Sequence, residues 1–142
     1  MLRYKLVAKL IEPRLPVKTL KAESITYDCD KQTLLVGKYF DPNDYGFMRH
    51  LSQAHEFIEG VQYSYTLWAL LHEIGHYMTE EKYGTNKELR AWFKEYSRLM
   101  IRDKHCQDRF YDCREEWEAT EWAIAWVKAH PKKAKLFSLI LR

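Results

Sequence analysis

Cysteine is scarce in this chain of 142 residues: Cys29, Cys106 and Cys113 are the three it has. An odd number leaves one unpaired under any disulfide scheme, and no C-x-x-C is present. Reduced thiols in a reducing compartment are the expectation, and none is assigned to metal. Long apolar runs are also missing. Nothing approaches the roughly 18 to 20 consecutive apolar residues of a membrane span, so no membrane partner is expected. Met1 to Val17 mixes Leu and Val with Arg3, Lys5, Lys9, Glu12 and Arg14. A secretory signal needs an uninterrupted apolar core instead, and we therefore expect a cytoplasmic protein. Repeats, linkers and low-complexity tracts are absent too, which excludes solenoid and tandem-domain architectures. One domain over residues 1–142 is the reading, large enough to bury a core without staples.

What is present suits a globular protein: 46% of the residues are hydrophobic, 15% of the chain is aromatic, and the net charge is only +3. The charge is unevenly spread. Lys128, Lys132, Lys133, Lys135 and Arg142 close the chain without an acid, the first segment is basic, and the middle is acidic. Basic ends of this kind are most often solvated surface, and a nucleic-acid partner is not expected.

The densest signal lies in Leu70-Leu71-His72-Glu73-Ile74-Gly75-His76-Tyr77-Met78, which contains H-E-x-x-H. Residues four apart share a helix face, so His72 and His76 can offer nitrogens to one point. A zinc ion there would sit about 2.0–2.1 Å from each. Glu73, a third of a turn away, would hold and deprotonate a metal-bound water. The apolar positions Leu67, Leu70, Leu71, Ile74 and Met78 predict one helix from Tyr65 to Lys82. Ser64 can cap its start, and Gly84 sits just past its end. Gly75 costs about 1 kcal/mol against alanine in a helix interior, and close approach of another backbone beside the metal would account for it.

A catalytic zinc site normally has three protein ligands and an open position. The metzincin continuation H-x-x-G-x-x-H is absent. His105 and His130 are candidates, as are later carboxylates. The segment from Asp112 to Trp126 stands out, with a capping-box pattern at Asp112 and Glu115 and a helix expected to run to His130, where Pro131 stops it. Along it Ala119, Ala123 and Val127 make a small apolar ridge. Glu118 lies at the ridge edge beside Trp122 and can reach inward, with Glu116 left in water. Glu118 is thus the favoured third ligand, and Glu115 and Glu121 are the second choices.

These two segments resemble the ImmA/IrrE group of gluzincin-type metallopeptidases. Glu116-Trp117-Glu118-Ala119-Thr120-Glu121-Trp122-Ala123 is similar to that group's E-x-E-A-x-x-F-A signature, with Trp122 in the aromatic place. The resemblance implies that His72, His76 and Glu118 bind zinc, that Glu73 is the general base, and that the substrate is a specific protein such as a bacterial or phage transcriptional repressor.

Elsewhere, Leu6, Leu10 and Ile11 predict a short helix ended by Pro13 and Pro16. Ile25–Tyr27 and Thr33–Val36 predict a hairpin. Phe47, Leu51, Ala54, Ile58 and Val61 predict one helix, and Leu89, Phe93, Tyr96, Leu99 and Met100, behind an Asn86 cap, another. Leu136, Leu139 and Ile140 mark a last amphipathic turn or two. The expected class is α+β: a mostly helical, zincin-like domain with a small antiparallel sheet near the motif helix. The expected activity is zinc-dependent peptide hydrolysis, with Tyr83, Tyr111 or His105 as an oxyanion donor. The alternative is a non-catalytic protein-binding module that keeps the fold.

Overall fold

The computed structural model describes residues 2–21, 25–37, 63–83 and 114–141. The helices expected around 47–61 and 86–100, the caps Gly84, Asn86 and Asp112, and His105, Cys106, Tyr111 and Cys113 lie outside the described residues. Among the described residues the fold is mixed α+β and mostly helical, with four helices and one three-stranded sheet. In chain order these are α1 (Leu2–Ile11), β1 (Val17–Thr19), β2 (Ile25–Asp28), β3 (Thr33–Val36), α2 (Tyr65–Tyr83), α3 (Arg114–Ala129) and α4 (Pro131–Ile140).

Helix α1 stops where Pro13 follows, because proline brings no N–H to continue the ladder. Lys9 Nζ then donates to the carbonyls of Pro13 at 3.2 Å and Leu15 at 2.6 Å, binding the chain as it leaves the helix. The inward face of α1 is Tyr4, Val7 and Ala8; Leu6 and Leu10 are exposed.

The hairpin forms as expected: β2 and β3 pair antiparallel with Tyr27 opposite Leu34. Its turn is closed by Asp28 Oδ1, which accepts from Asp30 N–H at 3.0 Å and Lys31 N–H at 3.1 Å, the local habit that makes Asp a turn residue. Gln32 takes the left-handed conformation, φ 47°. The sheet is not purely antiparallel, however. A third strand, β1, runs parallel to β3 with Val17 opposite Leu34 and Thr19 opposite Val36. The order is β1-β3-β2, so β3 is central and Leu34 and Val36 are fully buried. Leu35, between them on the opposite face, is half-buried.

Helix α2 carries H-E-x-x-H over the predicted length. Ser64 caps it: its Oγ accepts from Leu67 N–H at 3.2 Å, while its own N–H donates to Ser138 Oγ on α4 at 3.0 Å. Leu67, Leu70, Leu71 and Ile74 are all at 0% exposure, the buried stripe the spacing required. Helix α3 ends at Ala129, but Pro131 does more than stop it. Proline is well suited to a first helical position, and α4 begins there. This last helix turns Ala134 and Phe137 inward and leaves Leu136 and Leu139 exposed. Of the three expected positions Ile140 packs against the core, while Phe137 and Leu141 take the places expected of Leu136 and Leu139. None of the described helices is long and apolar enough to cross a membrane.

Candidate metal centre

The centre is made where α2 crosses α3, and glycine permits that crossing. A Cβ built on Gly75 would lie 2.5 Å from Ala119 O and 3.0 Å from Ala119 Cα. The contact is backbone on backbone, as the close-approach reading of Gly75 anticipated. Small residues on the facing ridge complete it: Ala119 is at 0% and Ala123 at 1% exposure. With the helices this near, side chains one turn away from the crossing meet across it.

On α2, His72 is buried and His76 and Glu73 are half-buried. Their ligand atoms all lie within 4.8 Å of one another, so these three residues form a group that could hold a metal ion. The two imidazoles stand edge to face, centroids 4.8 Å apart. From α3 the carboxylate of Glu116 enters between them: Oε2 is 2.7 Å from His72 Nε2 and Oε1 is 3.2 Å from His76 Nε2.

That placement corrects the expectation that Glu116 stays in water, for Glu116 is 4% exposed. The physical reason is helical phase. Glu116, Ala119 and Ala123 are three and four residues apart and share the face that α2 covers. Glu118 precedes Ala119 by one residue, about 100° around the helix, and is half-buried on the flank. The carboxylate between the two imidazoles is therefore that of Glu116, in the place expected for Glu118. Glu121 points to solvent. His130 is elsewhere, stacked on Trp126 at 4.8 Å with Nδ1 3.0 Å from the Trp126 carbonyl.

Thr120 is the second residue that sequence reasoning missed. Its Oγ1 is 3.1 Å from His72 Nδ1, and its hydroxyl also reaches the Glu116 carbonyl at 3.1 Å. The available signal was the spacing: Thr120 is one turn beyond Glu116, as His76 is beyond His72, so two stacked pairs face each other.

The sheet supplies the third wall. Tyr27 N–H, on the outer strand β2, donates to Glu73 Oε2 at 2.7 Å. Farther along α2, Tyr27 O–H donates to Glu80 Oε2 and Gln32 Nε2 donates to the same oxygen at 3.3 Å. The Tyr27 ring meets Tyr77 edge on. Burial and the Glu80 carboxylate push the Tyr27 phenol above its ordinary range.

The two carboxylates are tuned in opposite directions. Burial pushes Glu73 upward and the Glu116 charge adds to this, against the pull of His76, His72 and the Tyr27 N–H. Burial also works against ionised Glu116, but His76 and the hydrogen bonds from both imidazoles outweigh it and hold this carboxyl well below the usual range. Glu116 is thus shifted toward its ionised form between two imidazoles, and Glu73 toward its protonated form.

The donor set, two neutral-capable imidazoles and an ionised carboxylate, fits a divalent transition metal. Comparison with protein-family models, curated proteins and solved structures finds no match for this chain.

Proposed function

We propose that this chain is a zinc-dependent peptide hydrolase of zincin-like fold, with His72, His76 and Glu116 as the metal ligands and Glu73 as general base. The observation that carries this reading is the Glu116 carboxylate set between His72 Nε2 and His76 Nε2, with Glu73 beside them on α2. Among the metals that imidazole and carboxylate favour, zinc is the choice that the His-His-Glu set supports.

Zinc, when bound, acts as a Lewis acid that polarises a carbonyl and makes water acidic near neutral pH. The chain's own groups do the rest. Glu73, its carboxyl pushed upward by burial, accepts a proton from the attacking water and returns it to the leaving amine. Tyr27 N–H fixes Glu73 Oε2 and leaves the other oxygen to handle the proton. The outer strand β2 runs beside this base; Glu73 takes its Tyr27 N–H, and an extended peptide can pair with the main-chain groups that remain. A protein or peptide is therefore the proposed substrate, and a transcriptional repressor is the specific form that the ImmA/IrrE resemblance suggests.

A second reading, the non-catalytic binding module, has one observation in its favour. Glu116, His72 and Thr120 satisfy one another by hydrogen bonds, so the cluster can also serve as a polar crosslink between α2 and α3.

The deciding experiment is zinc per chain by elemental analysis of untagged protein, with Glu116→Ala and Glu118→Ala alongside. One zinc per wild-type chain, lost in Glu116→Ala and kept in Glu118→Ala, is the expected result. Loss only in Glu118→Ala would move the third ligand there. No zinc after reconstitution would leave the crosslink reading standing.

A further inference from the structure

We infer that Thr120 is a positioning residue for the metal: its hydroxyl locks His72 in the tautomer that carries a proton on Nδ1, which commits Nε2 to the ion. This rests on the metal reading of the same site and deepens it, because it says which nitrogen binds and what holds it there.

The argument is one of proton counting. A threonine hydroxyl has one proton to give and two lone pairs to receive. The Glu116 main-chain oxygen is 3.1 Å from Thr120 Oγ1, and a carbonyl can only accept. The hydroxyl proton is therefore spent on its own helix, in the back-bond typical of Ser and Thr inside helices. What Thr120 then offers the atom 3.1 Å away on His72 is a lone pair, so His72 Nδ1 must be the donor. In a neutral imidazole only one nitrogen carries hydrogen. Nε2 faces Glu116 and donates to its carboxylate while no ion is there; with Nδ1 held protonated by Thr120, Nε2 is the nitrogen that would release its proton to solvent and turn its lone pair to a metal.

Rotation is restricted by the same contact. His72 and Thr120 are both buried, and turning the ring over would place a C–H against the threonine oxygen. Because the hydroxyl bonds the Glu116 carbonyl, Thr120 also ties the ring to the helix turn from which the carboxylate projects. Partners of this type on the far nitrogen of a metal-binding histidine orient it, and their loss typically costs about 10- to 100-fold in metal affinity.

The test uses zinc alone as the probe, with affinity measured by competition against a chromophoric chelator. Thr120→Val keeps the branched shape and removes the hydroxyl; Thr120→Ser keeps the hydroxyl. Expected are zinc binding about 10- to 100-fold weaker in Thr120→Val and near wild type in Thr120→Ser. Long-range proton–nitrogen correlation of the zinc-loaded wild type should show His72 with a slowly exchanging Nδ1–H, a signature that packing alone would not produce. Equal zinc affinity in wild type and Thr120→Val would overturn the inference while leaving the metal reading intact. Zinc on Nδ1 of His72 in the wild type would overturn it whatever the variants do, including a Thr120→Val that fails to fold. A wild type that takes up no zinc would sink the metal reading, and this inference with it.

Discussion

Replacing Gly75 by alanine tests the geometry on which the whole site depends. The new methyl would stand 2.5 Å from Ala119 O, where ordinary contact begins at 3.4 Å, leaving it about 0.9 Å too close to an atom of a helix backbone. A backbone carbonyl inside a helix cannot swing aside as a side-chain tip would, so the two helices must part. Overpacking of this sort typically costs about 1–3 kcal/mol, and the rigid neighbour argues for the upper half. Alanine returns about 1 kcal/mol through its better helix propensity. The net expectation is a loss of about 1–2 kcal/mol, read by urea unfolding at two-state conditions. Because Glu116 projects one turn from the crossing, zinc affinity should fall in the same variant. Adding Ala119→Gly should give no rescue, since the clash is with Ala119 main chain. A stabilised Gly75→Ala protein with unchanged zinc affinity, or rescue by Ala119→Gly, would refute the close crossing.

Glu73→Gln should keep the fold and zinc while losing turnover, and full hydrolytic activity in it would sink the mechanism. The same variant should unfold at higher temperature than wild type at neutral pH. The Glu73 carboxyl is raised on folding, so its ionisation opposes folding above that raised value; the gain should vanish as pH falls below about 4.5, where the acid is protonated folded and unfolded alike. Ser64→Ala removes the cap of α2 and should cost about 1 kcal/mol in unfolding free energy; a neutral result would mean the Leu67 N–H finds water as readily. If zinc binds the folded chain alone, a free concentration a hundredfold above its dissociation constant should stabilise it by about 2.7 kcal/mol, and a melting temperature indifferent to zinc would contradict that.

Much of this fold was legible because local pattern and tertiary demand agree. The stripe from Leu67 to Ile74, the Ser64 cap and the hairpin of β2 and β3 each depend on neighbours in sequence, and each forms as read. Gly75 was legible as a close approach, although its partner was not. The misses share one cause. Strand β1 is three residues long and finds its parallel partner across an intervening strand, so no window of sequence contains its reason for existing. The phase of α3 was set by the Gly75–Ala119 crossing, which turns Glu116 inward and Glu118 to the flank. Along α4 and at its end, Phe137 and Leu141 took the inward positions from Leu136 and Leu139. Periodicity says that a helix has a buried face; which of two adjacent faces it is depends on what arrives from elsewhere in the chain.

The hydrogen bond from Tyr27 to Glu73 also bears on how this protein keeps to itself. Among the described strands β2 is one of the two outer ones, and an outer strand with open N–H groups is a template on which other chains can pair and aggregate. β2 is only four residues long, and its Tyr27 N–H is already given to a carboxylate. A stray strand arriving at that point finds the donor already taken. The group read as a carrier of protons is, for the sheet, a guard on its margin.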